Sequence, residues 1–133
     1  MSDSQLSKEL VQSFYSHLKE GNPEGAFSLL ADDITWSEAE GNPLADKNPY
    51  TGAAAIGDGV FGRLAEIFEE FAAVPDEFIA DGNRVIVTAR YYGTHKKSGT
   101  PLNCQAVHSW TVSGDKIIQF QQYADTEPLA RLS

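Results

Sequence analysis

The apolar residues of this chain change their spacing partway along it. Leu6, Leu10, Phe14 and Leu18 recur every fourth position, and Ile56, Val60, Leu64, Ile67, Phe68 and Phe71 keep helical spacing. After Phe71 the pattern turns to alternation through Val85, Val87 and the segment TARYYGT. A helical period followed by a strand period in one chain of 133 residues points to an α+β domain, with helices gathered on one face of a sheet. Residues 1–133 read as a single domain, since this length leaves no room for two ordinary ones.

Punctuation residues place the elements. Ser2 and Gln5 have capping spacing at the head of the first helix. Gly21 stops it, and Asn22-Pro23 starts a second helix that buries Ala26, Phe27 and Leu30. Ile34 to Glu38 reads as a short strand with Ile34, Trp36 and Glu38 on one face. GNPLADKNPYTG follows as the longest irregular segment, of the kind that often binds or covers a ligand. The third helix begins after Gly52. Gly57, Gly59 and Gly62 weaken its first turns, which implies close packing or a late start. The second half reads as a meander with turns at Asp81-Gly82-Asn83, Lys96 to Gly99 and Ser113-Gly114-Asp115, and with strands over Asn103 to Val112 and Ile117 to Tyr123. Thr126 to Ser133 reads as a short tail with one helical turn. A curved sheet folded over three helices makes a cone, and the mouth of a cone is a natural small-molecule site.

Composition excludes several classes. Cys104 is the single cysteine, so there is no internal disulfide and no cysteine-based zinc site. No apolar run reaches the roughly 20 residues of a membrane helix, and the N-terminal MSDSQLSKEL is too polar for a signal peptide. A reduced, cytoplasmic protein is the expectation. The pI near 4.6 argues against nucleic acid as a partner. Residues 1–71 carry 13 acids and 4 bases, and residues 72–133 carry 6 of each, so the whole excess of −9 lies in the first half, as solvated helix faces would place it. The three histidines are far apart and offer no pair at metal-ligand spacing.

The segments FYSHLKEGNPEGAFSLLADDITW, PYTGAAAI and AVHSWTVSGDKIIQFQQYADT resemble the nuclear transport factor 2-like superfamily, and within it the SnoaL-like polyketide cyclases and ketosteroid isomerase-related proteins. The similarity runs from Leu6 to Thr126. It implies a cone-shaped, cystatin-like α+β barrel, in which a curved antiparallel sheet packs on three helices of the N-terminal half. It also implies a homodimer through the outer sheet face, and an apolar pocket for a small apolar or aromatic ligand with no cofactor. The superfamily hosts isomerases, cyclases, hydrolases, dehydratases and non-catalytic binding domains, so the fold does not choose among them.

Three residues are candidates for the chemistry. Asp125 ends the last strand, where the resemblance to SnoaL-like cyclases implies a general acid/base; in an apolar cone its pKa would rise by desolvation. The other reading of Asp125 is a cap for the C-terminal turn. The isomerase resemblance places Glu38 where that enzyme keeps its proton-shuttling aspartate, one methylene shorter, although Glu38 also reads as a solvated acid and Glu40 stands two residues on. It places His108 near one arm of the oxyanion hole, where a neutral imidazole donates a hydrogen bond or accepts a proton. The alternative is a histidine packed among aromatics. The isomerase's tyrosine donor aligns with Phe14, which has no hydroxyl, and Tyr15 points about 100° away round the helix. Trp36, Tyr50, Arg90, Tyr92, Tyr15, Phe14, Trp110 and Tyr123 are expected to line the pocket. Tyr50 would close over a ligand, and Arg90 would pair with Asp125 or Glu38. Two functions follow: a cofactor-free enzyme that moves a proton next to a carbonyl, as an isomerase, cyclase or dehydratase does, or a non-catalytic binding or dimerisation domain.

Overall fold

Residues 2–133 are described by a computed structural model. Helix α1 (Asp3–Lys19) starts where Ser2 Oγ accepts the Gln5 backbone N–H at 3.1 Å. Helix α2 (Pro23–Phe27) is capped by Asn22, whose side-chain oxygen accepts the Gly25 N–H at 3.0 Å, with Pro23 in the first turn. The chain then forms β1 (Leu30–Ser37), a 3-10 turn (Pro43–Lys47) and a two-residue strand β2 (Tyr50–Thr51) hydrogen-bonded to β1. The third helix begins as α3 (Ala53–Ile56), widens into a π turn at Gly57–Phe61 and continues as α4 (Gly62–Ile67). Four long strands follow, β3 (Phe68–Asp81), β4 (Arg84–His95), β5 (Pro101–Ser113) and β6 (Lys116–Ala124), and helix α5 (Thr126–Leu132) ends the chain.

The six strands form one sheet in the order β2-β1-β6-β5-β4-β3. It is mixed rather than purely antiparallel, because β1 runs parallel to β6. The helices fill its concave side, and the largest fully buried side chains include Trp110, Phe14, Ile34 and Ile56. A second cluster packs Leu129 and Leu132 of α5 on Leu102, Cys104 and Ala106 of β5.

The structure departs from the sequence expectations at several further places and decides between two readings at one. The buried face of α1 is Ser7, Val11, Phe14 and Tyr15, and Leu6 is half exposed. A strict spacing of four drifts by about 40° per step on a helix of 3.6 residues per turn, so the run from Leu6 to Leu18 does not follow one face. Phe68 and Phe71 belong to β3, not to the third helix. Phe68 already pairs with His95, and the register slips between Glu69 and Ala72, where Glu70 takes a φ of 54°. The glycine-rich stretch is close packing rather than a late start: the helix begins at Ala53, and Gly59 lies against the ring of Tyr50. The tail is a helix of seven residues, longer than one turn.

Candidate functional site

The sheet alternates, and alternation decides which side chains enter the cone. His108 stands opposite Val87 on β4 and Gln122 on β6, so these three positions share the inner face. Trp110, Phe120 and Tyr91 keep the same parity. Arg90, Tyr92 and Tyr123 have the opposite parity and point out. From β1 come Trp36 and, just past its end, Glu38. From α1 come Phe14 and Tyr15. These residues enclose a cavity of about 50 Å3 walled chiefly by apolar and aromatic groups, with Val60, Phe61 and Leu64 of the third helix on its helical side.

Glu38 is 3 % exposed and faces this cavity, whereas Glu40 is exposed to solvent. The Trp36 indole Nε1–H donates to Glu38 Oε2 at 3.1 Å. Burial in apolar surroundings raises the Glu38 pKa from 4.5 to about 7, against smaller opposing effects of the Trp36 hydrogen bond and the Arg63 charge. Asn48 holds the Glu38 backbone from both sides, accepting its N–H at 2.9 Å and donating to its carbonyl at 2.8 Å. The carboxyl is therefore fixed, desolvated and close to neutrality in its titration.

Opposite the apolar wall lies a chain of hydrogen bonds. Tyr15 Oη is 2.5 Å from His108 Nδ1, and Tyr91 Oη is 2.6 Å from His108 Nε2. Trp110 Nε1 donates to Tyr15 Oη at 3.0 Å, and Gln122 Nε2 donates to Tyr91 Oη at 2.7 Å. Gln122 Oε1 accepts from the Ala39 N–H and from Asn42 Nδ2. Burial lowers the His108 pKa from 6.5 to about 3, so the imidazole is neutral, a donor and acceptor of hydrogen bonds but a poor proton acceptor. Burial likewise pushes both tyrosine hydroxyls above their ordinary value.

Six of the expected site residues therefore meet at the cavity: Glu38, His108, Trp36, Trp110, Phe14 and Tyr15. The ring of Tyr15 lies with Val11 and Phe14 on the buried face of α1 and its hydroxyl meets His108, so the expectation that it points away is corrected. Five residues lie elsewhere. Asp125 is exposed beside Arg90, Tyr92 and Tyr123 in a broad open depression on the outer sheet face. It occupies the N-cap position of α5 without making a side-chain cap bond. Arg90 donates to Asn103 Oδ1 at 2.7 Å rather than pairing with Asp125 or Glu38. Tyr50 is buried away from the cavity, where it donates to the Leu44 carbonyl and abuts Gly59, so it braces the loop instead of closing on a ligand. Tyr91, Gln122 and Asn42 were not singled out from sequence. The signal for Tyr91 was its parity with Val85 and Val87, and for Gln122 its parity with Phe120; Asn42, in an irregular segment, left no such signal. Among the described residues no three His, Cys, Asp or Glu side chains converge as a metal site would require, and no helix is long and apolar enough to cross a membrane.

Comparison with known proteins agrees with this architecture. No curated protein matches the chain. An NTF2-like protein of Burkholderia thailandensis is 30% identical, with 95% of each chain covered and a TM-score of 0.89. TerC, co-crystallised with polyporic acid, is 25% identical over 96% of this chain and 97% of its own, with a TM-score of 0.84. A protein of ketosteroid isomerase-like fold from Catenulispora acidiphila, in complex with trimethylamine, is 22% identical over 94% and 92% of the two chains, with a TM-score of 0.76. The family model of the SnoaL-like domain matches residues 11–120, and the chain belongs to that family.

Proposed function

We propose that this protein catalyses proton transfer next to a carbonyl in a small, largely apolar compound, with Glu38 as the proton-carrying group. The observation that carries this reading is Glu38 itself, a carboxyl fixed in an apolar cavity with a pKa raised to about 7. Such a group is half ionised near neutral pH, so it takes a proton from carbon and returns it with little loss in either direction. The hydroxyls of the Tyr15–His108–Tyr91 chain supply the hydrogen bond that a developing enolate oxygen needs, in a site where water does not compete. His108 stays neutral throughout and orients the hydroxyls rather than taking the proton. Asp125, on the outer face, has no part in this step.

The cavity volume of about 50 Å3 holds a small ligand or the reactive end of a larger one. TerC, with polyporic acid, supports an aromatic or quinone-like ligand class for this fold. A homodimer through the outer sheet face is part of the same reading, supported by the exposure of Val74, Ile79, Tyr92 and Tyr123 on that face. Sedimentation at the mass of one chain, 14.5 kDa, contradicts it.

The test of the chemistry is deuterium exchange at the carbons flanking the carbonyl of cyclohexanone in D2O at pH 7.5, followed by proton NMR. Wild type is expected to exchange about 100-fold or more faster than Glu38→Gln, the usual contribution of a positioned acid/base group. Exchange no faster than buffer, together with a cyclohexanone-induced rise in melting temperature, favours the non-catalytic binding domain instead.

A further inference from the structure

The hydrogen bonds around His108 can be counted, because their outer ends are chemically unambiguous. The Ala39 N–H is a backbone donor, so the group of Gln122 facing it at 3.1 Å is the amide oxygen. The amide nitrogen of Gln122 therefore faces Tyr91 and donates to its oxygen. The Trp110 indole can only donate, and it donates to the oxygen of Tyr15. Each tyrosine oxygen is thus already an acceptor, and each hydroxyl has one hydrogen still to place.

His108 lies between them with one hydrogen and one lone pair, since burial keeps the ring neutral. With the hydrogen on Nε2, the ring donates to Tyr91, Tyr15 donates to Nδ1, and the Tyr91 hydrogen is left without a partner in the chain. With the hydrogen on Nδ1 the roles reverse and the Tyr15 hydrogen is left over. Either tautomer leaves one hydroxyl hydrogen for the cavity. The two cases are not equivalent: Gln122 bonds both Tyr91 and the backbone N–H of Ala39, next to Glu38, so the negative field of the Glu38 carboxylate falls on Tyr91, whereas Tyr15 is held by the Trp110 indole. A hydroxyl dipole directed toward a carboxylate is favoured by that field.

We infer that His108 carries its hydrogen on Nε2, that Tyr91 rather than Tyr15 turns its hydroxyl hydrogen into the cavity, and that the inner end of the ligand is an oxygen acceptor, a ketone or enolate oxygen held by Tyr91 on the side of Glu38. Gln122 is then a positioning residue. By occupying the Tyr91 oxygen as a donor, it prevents the Tyr91 hydrogen from being spent on the amide. The ligand class rests on the acid/base reading given above, whereas the tautomer and the free hydrogen stand on the hydrogen-bond count.

The experiment is NMR on the wild-type protein labelled with 15N-histidine and with 13C at the hydroxyl-bearing carbon of tyrosine. The His108 ring is expected to show a protonated Nε2 and an unprotonated Nδ1 at pH 7. Cyclohexanone is expected to move the Tyr91 resonance and leave that of Tyr15 in place, with the two assigned through Tyr91→Phe and Tyr15→Phe. A protonated Nδ1, tautomer-averaged ring nitrogens, or a shift at Tyr15 in place of Tyr91 overturns the inference. The tautomer is read without ligand and without turnover. Failure of deuterium exchange therefore strikes the catalytic reading alone, and a wrong tautomer strikes this inference alone.

Discussion

At the residue scale, one position along a strand separates a site residue from a surface residue. Tyr91 and Tyr92 are neighbours, yet Tyr91 bonds His108 inside the cone and Tyr92 is 42 % exposed outside it. The same rule divides Glu38 from Asp125. Glu38 shares the inward face of Trp36, as its spacing in sequence indicates, while Asp125 follows Ala124, which pairs with Ala106 on the inner side, and so falls outward. Asp125→Asn is accordingly expected to leave the cyclohexanone exchange rate at the wild-type value, and a loss comparable to that of Glu38→Gln would return Asp125 to the chemistry. His108 and Glu38 were singled out through the isomerase resemblance, and strand parity put each on the face of a tryptophan, Trp110 and Trp36. Tyr15 was expected to line the pocket, but its place on the buried face of α1 was not, because a stripe drawn at strict fours through Leu6 placed that face wrongly by the drift described above. The resemblance to SnoaL-like cyclases favoured Asp125, and only the closing of the sheet shows which acid is buried.

At the element scale, the irregular helix is a matter of packing. Gly57 and Gly59 both lie in the π turn between α3 and α4, and their propensities are equal, so any difference between them comes from what surrounds them. A methyl group at Gly57 would meet the Phe27 ring at 3.5 Å, an ordinary contact. At Gly59 it would meet the Tyr50 ring at 2.3 Å, and Tyr50 cannot retreat, because its hydroxyl is bonded to Leu44 and Arg63. Gly57→Ala is expected to be neutral or to stabilise by up to ~1 kcal/mol through helix propensity. Gly59→Ala is expected to destabilise by about 1–3 kcal/mol through overpacking. Chemical denaturation of both variants checks this, and equal effects would contradict the role given to Tyr50. The sequence signalled an anomaly here through three glycines, but the partner that explains it sits in a loop whose course periodicity does not describe. Strands β4, β5 and β6 were legible almost to their ends because tight turns bound them, whereas the start of β3 was not, since Phe68 and Phe71 carry the helical spacing into it.

At the scale of the whole molecule, two buried groups titrate in opposite senses and shape stability against pH. Glu38 has its pKa raised from 4.5 to about 7, so its contribution to stability is complete below 4.5 and is lost as pH rises toward 7. His108 has its pKa lowered from 6.5 to about 3, so its contribution is complete above 6.5 and is lost as pH falls toward 3. Between pH 4.5 and 6.5 the two slopes, each about 1.4 kcal/mol per pH unit, oppose and cancel. Glu38→Gln removes one of them, and its stability is expected to climb across this window relative to wild type in urea titrations; parallel curves would contradict the burial of Glu38. The net charge of −9 says nothing of this, since the acids that make it up are mostly on solvated helices and loops. The most direct measurement is the 13C titration of the Glu38 side-chain carboxyl in the wild-type protein. A midpoint near 7 is expected, and a midpoint at the ordinary 4.5 would contradict Glu38 as the buried proton-carrying group.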